Sequence, residues 1–205
     1  WAKKVSHDAL STLSFSVTPG ERVAFIGPNG AGKSTPIKIL TGILYPTSGE
    51  VRVLGCVPQE RANEFKKQFG IVMGQKDQLE KMLPAMDSFL LLKEFYGVSD
   101  ADFTRITGEL VELLGIQDFL DIPVRRLSLG QRMKCELVAA LLHSPKVLFL
   151  DEPTIGLDVV AQKNIRDFIK KYNRQKKTTI LLTSHDMDDI KELCERVIII
   201  SFGKI

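Results

Sequence analysis

Apolar residues fall along this chain in two alternating patterns. Leu13, Phe15 and Val17 alternate with Ser14 and Ser16, which predicts a half-buried strand over 13–17, and Pro19-Gly20 turns the chain into "RVAFI" (22–26), a buried strand. A glycine-rich loop follows at once. Helical spacing then runs through Ile37, Leu40 and Ile43, and a turn at "YPTSGE" leads to the short strand "VRVL" (51–54). A helix over 60–69 and a strand "IVM" (71–73) come next. From 76 to 127 the spacing is helical only, clearest in "AMDSFLLLKEFYG" and "DADFTRITGELVELLG". Alternation resumes with "KVLFLD" (146–151), a helix from Val159 to Tyr172, "TTILLT" (178–183), a helix over 186–195 and "RVIIIS" (196–201).

Continuous apolar strands between helices predict a largely parallel sheet covered on both faces. The fold class read from this pattern is α/β, with a mostly parallel core sheet, an N-terminal antiparallel β portion and an inserted all-helical subdomain. Residues 1–75 and 128–205 then form the core, and 76–127 the helical subdomain.

Composition narrows the function. The 205 residues are 44% hydrophobic, enough for a real core. No window approaches the roughly 18 uninterrupted apolar residues of a membrane helix, and "WAKKVSHDAL" has no signal-peptide core, so a membrane role has to come through a partner. Cys56, Cys135 and Cys194 are far apart and form no C-x-x-C, which fits a reducing cytoplasm and no zinc site. A net charge of +3, with local clusters only at Lys66-Lys67, Arg125-Arg126 and "RQKK" (174–177), gives no nucleic-acid footprint.

The chemistry begins at "GPNGAGKST" (27–35), which fits G-x-x-x-x-G-K-[ST] directly after a buried strand and directly before a helix. That context defines a P-loop NTPase. Gly27, Pro28, Asn29, Gly30, Ala31, Gly32, Lys33, Ser34 and Thr35 are the nucleotide-binding candidates: the glycines free backbone amides to wrap phosphate, Lys33 reaches the β- and γ-phosphates, and Ser34 offers a hydroxyl to Mg²⁺. Pro36 is tolerated because a first-turn N–H has no intrahelical partner.

"VLFLDEP" ends a buried strand in Asp151 and Glu152, at the carboxyl edge where ligands of parallel sheets sit. Adjacent residues on an extended chain point apart, which assigns Asp151 to the Mg²⁺ shell and Glu152 to the attacking water. His185 closes "LLTSHD" at another strand end, and Gln75 follows "GIVMG". A further oddity is "RRLSLGQRMKCEL" (125–137). Ser128 reads as an N-cap, whereas Gly130 weakens a first helical turn unless something must approach the backbone closely.

Together these motifs resemble the ATP-binding cassette (ABC) ATPases along essentially the whole chain. "GPNGAGKST" looks like Walker A, "VMGQ" the Q-loop, "LSLGQ" the signature, "VLFLDEP" Walker B, "GLD" (156–158) the D-loop and "SHD" the switch histidine. The resemblance implies Glu152, His185 and Gln75 as catalytic residues and Ser34, Gln75 and Asp151 at Mg²⁺. It also implies that Ser128, Gly130 and Gln131 of the signature act at the ATP held by an opposite subunit, and that Asp158 of the D-loop is a nucleotide-binding residue. ATP and Mg²⁺ are the implied cofactors. The implied partners are a second ATPase subunit, identical or related, and transmembrane permease subunits, at the cytoplasmic face of the membrane.

Two positions depart from the family pattern. Leu129 replaces the first glycine of L-S-G-G-Q, so its side chain must turn away from the phosphate or loosen the contact. The usual adenine-stacking aromatic falls near Lys4, with Trp1 as the substitute. "GILYPTSGEVRVLG" and "DEPTIGLDVVAQ" look most like bacterial efflux-type subunits. The alternatives are a soluble ABC ATPase, for example of the iron–sulfur assembly kind, and a nucleotide sensor that does not hydrolyse; such sensors typically lack the carboxylate or the histidine present here.

Overall fold

The strands with unbroken apolar sequence occupy the middle of the sheet. In the computed structural model, which describes residues 10, 11, 13–28, 30–74 and 76–205, β1 (Arg22–Ile26), β2 (Phe69–Met73), β3 (Val147–Asp151), β4 (Thr179–Thr183) and β5 (Arg196–Ile199) pair in the order β2-β3-β4-β1-β5, all parallel. Every residue of β4 is buried, while the edge strands β2 and β5 alternate in burial. A strand covered on both faces needs apolar residues at both parities, and an edge strand does not.

Parity then sorts the core into two layers. Leu148, Leu150, Ile180 and Leu182 face one cluster, to which the helices α3 (Ala85–Tyr96), α4 (Asp100–Leu114), α5 (Leu129–Leu141), α6 (Val159–Lys176) and α7 (Met187–Leu193) contribute Phe89, Leu110, Leu137, Ile165 and Ile190. Val147, Phe149 and Leu181 face the other, with Ile37 of α1 (Ser34–Leu40). The helices of 85–114 thus share a continuous core with the sheet.

The antiparallel portion is the part of the expected fold that the described residues do not form as strands. Residues 13–17 keep the expected alternation, with Phe15 and Val17 packed on the α1 side and Phe15 edge-on to Phe25 at 5.4 Å, yet they join no ladder. Burial of one face is enough to produce the alternation without strand pairing. "VRVL" contributes a single antiparallel bridge, Val53 to Cys56. The helix expected over 60–69 is also shorter. Arg61, at φ 52, breaks it into a 3₁₀ turn (Pro58–Glu60) and the four-residue α2 (Asn63–Lys66). The three cysteines are free, and burial pushes the thiols of Cys135 and Cys194 up to about 12.

Candidate active site

The parallel sheet delivers the P-loop and both acidic residues to one edge. At Gly27 the loop leaves β1 so close to the continuation of β5 that a Cβ there would lie 2.0 Å from the Ile200 carbonyl oxygen, so a side chain is excluded. Gly30 and Gly32 take φ of 80 and 92, conformations that side chains disfavour. Lys33 is buried and folds back over the loop, its Nζ donating to the carbonyls of Gly27 (2.8 Å) and Pro28 (3.1 Å). Pro36 sits in the first turn of α1, as expected.

Register places the carboxylates. Asp151 pairs with Met73 of β2 on one side and Thr183 of β4 on the other. The Ser34 hydroxyl donates to Asp151 Oδ1 at 2.7 Å, and the Thr183 hydroxyl donates to the same oxygen at 2.6 Å. Glu152 points elsewhere, but not through strand alternation: β3 ends at Asp151, and Glu152 adopts φ 54, a left-handed conformation costly for a non-glycine residue. Its amide is held by the carbonyl and the hydroxyl of Thr183, each at 3.1 Å. Its Oε2 lies 2.7 Å from His185 Nδ1, and the His185 amide donates to the same oxygen at 3.4 Å. An ionised carboxylate offers only acceptors, so the imidazole carries its hydrogen on Nδ1. Thr183, which touches both acidic residues, went unnoticed in the sequence; the signal was a polar residue ending an apolar strand.

The signature residues gather apart from this group. Ser128 caps α5 in a reciprocal box: its Oγ accepts from the Gln131 amide at 3.2 Å, and Gln131 Oε1 accepts from the Ser128 amide at 2.9 Å. Asp158 caps α6, accepting from the Ala161 amide at 2.9 Å. A Cβ on Gly130 would meet the Ala161 Cβ at 3.0 Å, so the close approach that Gly130 permits includes one within its own chain. Leu129 turns inward: a Cβ on Gly156, itself at φ 73, would lie 3.1 Å from Leu129 Cδ2. The Leu129 side chain is therefore directed at the 156–158 loop. No hydrogen bond among the described residues joins this group to the P-loop. Trp1, Lys4, Asn29 and Gln75 lie outside the described residues.

Comparisons with known proteins agree with this geometry. The family model described as ABC transporter matches residues 10–155. The ABC transporter ATP-binding protein NatA of Bacillus subtilis (strain 168) is 31% identical over 203 residues, covering 99% of this chain and 82% of its own. The Nod factor export ATP-binding protein I of Sinorhizobium fredii is 34% identical over 195 residues, covering 95% of this chain and 56% of its own. Among solved structures, the dimeric post-hydrolysis state of the ATP-binding cassette MJ0796, bound to ADP and Pi, superposes with a TM-score of 0.84 at 26% identity, over 96% of this chain and 88% of that one. The chain belongs to the ABC transporter family. Within that family it is an ATP-binding subunit, an ATPase built on the P-loop fold. It spans 56–65% of the length of several other curated relatives that it matches.

Proposed function

We propose that the chain powers transport: two copies, or this chain and a related subunit, close around two ATP molecules, and hydrolysis reopens them to drive a membrane permease. The Glu152–His185 pair, set beside Ser34–Asp151 at the sheet's carboxyl edge, is the observation that carries this reading. Loop amides of 27–35 and Lys33 hold the phosphates, with Lys33 exchanging its carbonyl partners for phosphate oxygens. Glu152 orients and deprotonates a water for attack on the γ-phosphorus, breaking its bond to the bridging oxygen and giving ADP and phosphate. His185 holds the carboxylate in place, and Gln75 completes the shell.

Mg²⁺ fits the residues present. Ser34 Oγ and Asp151 Oδ1 are hard oxygen donors already held together, and this ion takes few protein ligands besides phosphate and water. When bound it neutralises charge developing on the phosphates.

Ser128, Gly130, Gln131 and Asp158 serve the ATP of the opposite subunit, a reading supported by the family resemblance and by the lack, among the described residues, of any hydrogen bond from them to their own P-loop. The relatives' names support export. Among the described residues no helix is long and apolar enough to cross a membrane. In this reading the permease is what holds the chain at the membrane. The 76–127 block offers it a surface: Met82, Leu83, Leu90, Leu91 and Phe95 are exposed apolar residues on or just before α3. The test of hydrolysis is Glu152→Gln, which should bind ATP normally while turnover falls by about 10²–10⁴. Turnover near that of wild type would remove Glu152 from its role.

A further inference from the structure

Beneath the Glu152–His185 pair lies a carboxylate that the chemistry above does not use. Asp189, on α7, is fully buried. Its Oδ2 accepts from the hydroxyl of Thr154 and from that of Ser184 at 2.9 Å, and its Oδ1 accepts from Arg166 Nη1 at 3.1 Å. The donors come from three separate segments: Thr154 stands two residues after Glu152, Ser184 immediately precedes His185, and Arg166 belongs to α6, the helix capped by Asp158. Ser184 Oγ also accepts from the Asp186 amide at 3.0 Å, which fixes the start of α7 to the same point.

A buried carboxylate is costly unless its oxygens are satisfied, and charge-assisted bonds to three donors make such a group a rigid anchor. The two loops it joins are the two that must bring Glu152 and His185 together. Glu152 also needs external support, because its left-handed backbone persists only where the surroundings over-determine it.

We propose that Asp189 is the positioning residue of the hydrolytic pair, tying the loop after Glu152 to the loop before His185 so that carboxylate and imidazole meet in register. Through Thr154 and Arg166 the same group connects the pair to the 156–158 loop and to α6. The inference rests on Glu152 and His185 being the hydrolytic pair.

Asp189→Ala would remove the buried partner of Arg166, leaving it only the partly exposed Glu192, and could prevent folding, so the test deletes single hydroxyls in the full chain: Thr154→Val and Ser184→Ala. Each should lower kcat for ATP hydrolysis by about tenfold, the scale of losing a group that orients a reacting one, with KM and nucleotide affinity within about twofold of wild type. Thr154→Ser should return kcat to within about twofold of wild type, because the hydroxyl is restored. The double variant should lose less than the product of the single losses, since both act through one carboxylate. Folded single variants with unchanged kcat would overturn the proposal, as would equal losses of kcat and nucleotide affinity. A wild-type chain that does not hydrolyse ATP, or a Glu152→Gln variant that hydrolyses it normally, would instead remove the underlying reading and this inference with it.

Discussion

His185 Nδ1 stands 2.7 Å from Glu152 Oε2, bridging the ends of two adjacent parallel strands. The bond gives the carboxylate one orientation. His185→Ala should therefore leave nucleotide affinity intact and reduce turnover by about 10–100-fold, as expected when an orienting partner is lost. His185→Asn, whose amide can still donate to Glu152, should retain more turnover than alanine. Steady-state hydrolysis alongside a nucleotide titration checks both, and a parallel fall in affinity would show that His185 contributes to binding instead.

Asp151 shares one oxygen between Ser34 and Thr183. Asp151→Asn removes the charge while keeping an acceptor there, so the hydroxyls can stay in place. Half-maximal hydrolysis should then require roughly tenfold more Mg²⁺, the scale of about 1.4 kcal/mol lost at the ion. Nucleotide binding measured without Mg²⁺ should change little. A magnesium titration of the hydrolysis rate decides the point.

Leu129 is packed against Gly156 rather than facing outward. Leu129→Gly, which creates the family's common signature, should destabilise this chain by about 1–3 kcal/mol through lost packing and a weaker first turn of α5. Gly156→Ala should also destabilise, since its φ of 73 disfavours a side chain and the new Cβ would meet Leu129. Chemical denaturation of the two variants measures both effects, and a Leu129→Gly chain as stable as wild type would contradict the inward packing.

Glu136 on α5 is a buried carboxylate whose Oε1 accepts from the amides of Gln78 and Leu79, while Oε2 has no partner. Burial raises its pKa above 4.5, ahead of the amide bonds that lower it. A raised carboxylate favours folding while protonated: the contribution is complete below the unfolded value and is lost as pH rises through the folded one. Glu136→Gln keeps an acceptor for both amides and removes the buried charge. The melting temperature of the variant relative to wild type should therefore rise from acid toward neutral pH, and a difference that shrinks would contradict the assignment.

Much of this was legible in the sequence because the signals are local. Apolar runs such as "VLFLD" and "TILLT" mark central strands directly; Asp151, Glu152 and His185 fall at or just past the ends of two of them, and Lys33 and Ser34 fall at the helix start after the glycine-rich loop. What escaped depends on contacts between distant segments. Asp189 is one of three aspartates within residues 186–189, and nothing local separates the buried one from its neighbours Asp186 and Asp188. The Glu152 turn was read as simple alternation, although its backbone is set by Thr183 from the next strand. Gly130 was assigned an outward reason alone, whereas its contact with Ala161 needs the position of α6.

The central claim is that each ATP site is shared, with Lys33 from one subunit and Ser128 from the other. Lys33→Ala and Ser128→Arg should each give a nearly inactive homodimer, the first through lost phosphate contact and the second through a clash in the closed interface. In their heterodimer both lesions fall in one site and the other is intact. Random mixing makes about half the dimers mixed, each with one working site of two, so an equimolar mixture should recover roughly a quarter of wild-type ATP hydrolysis. A mixture no more active than its two parents would place each site within a single chain and contradict the account.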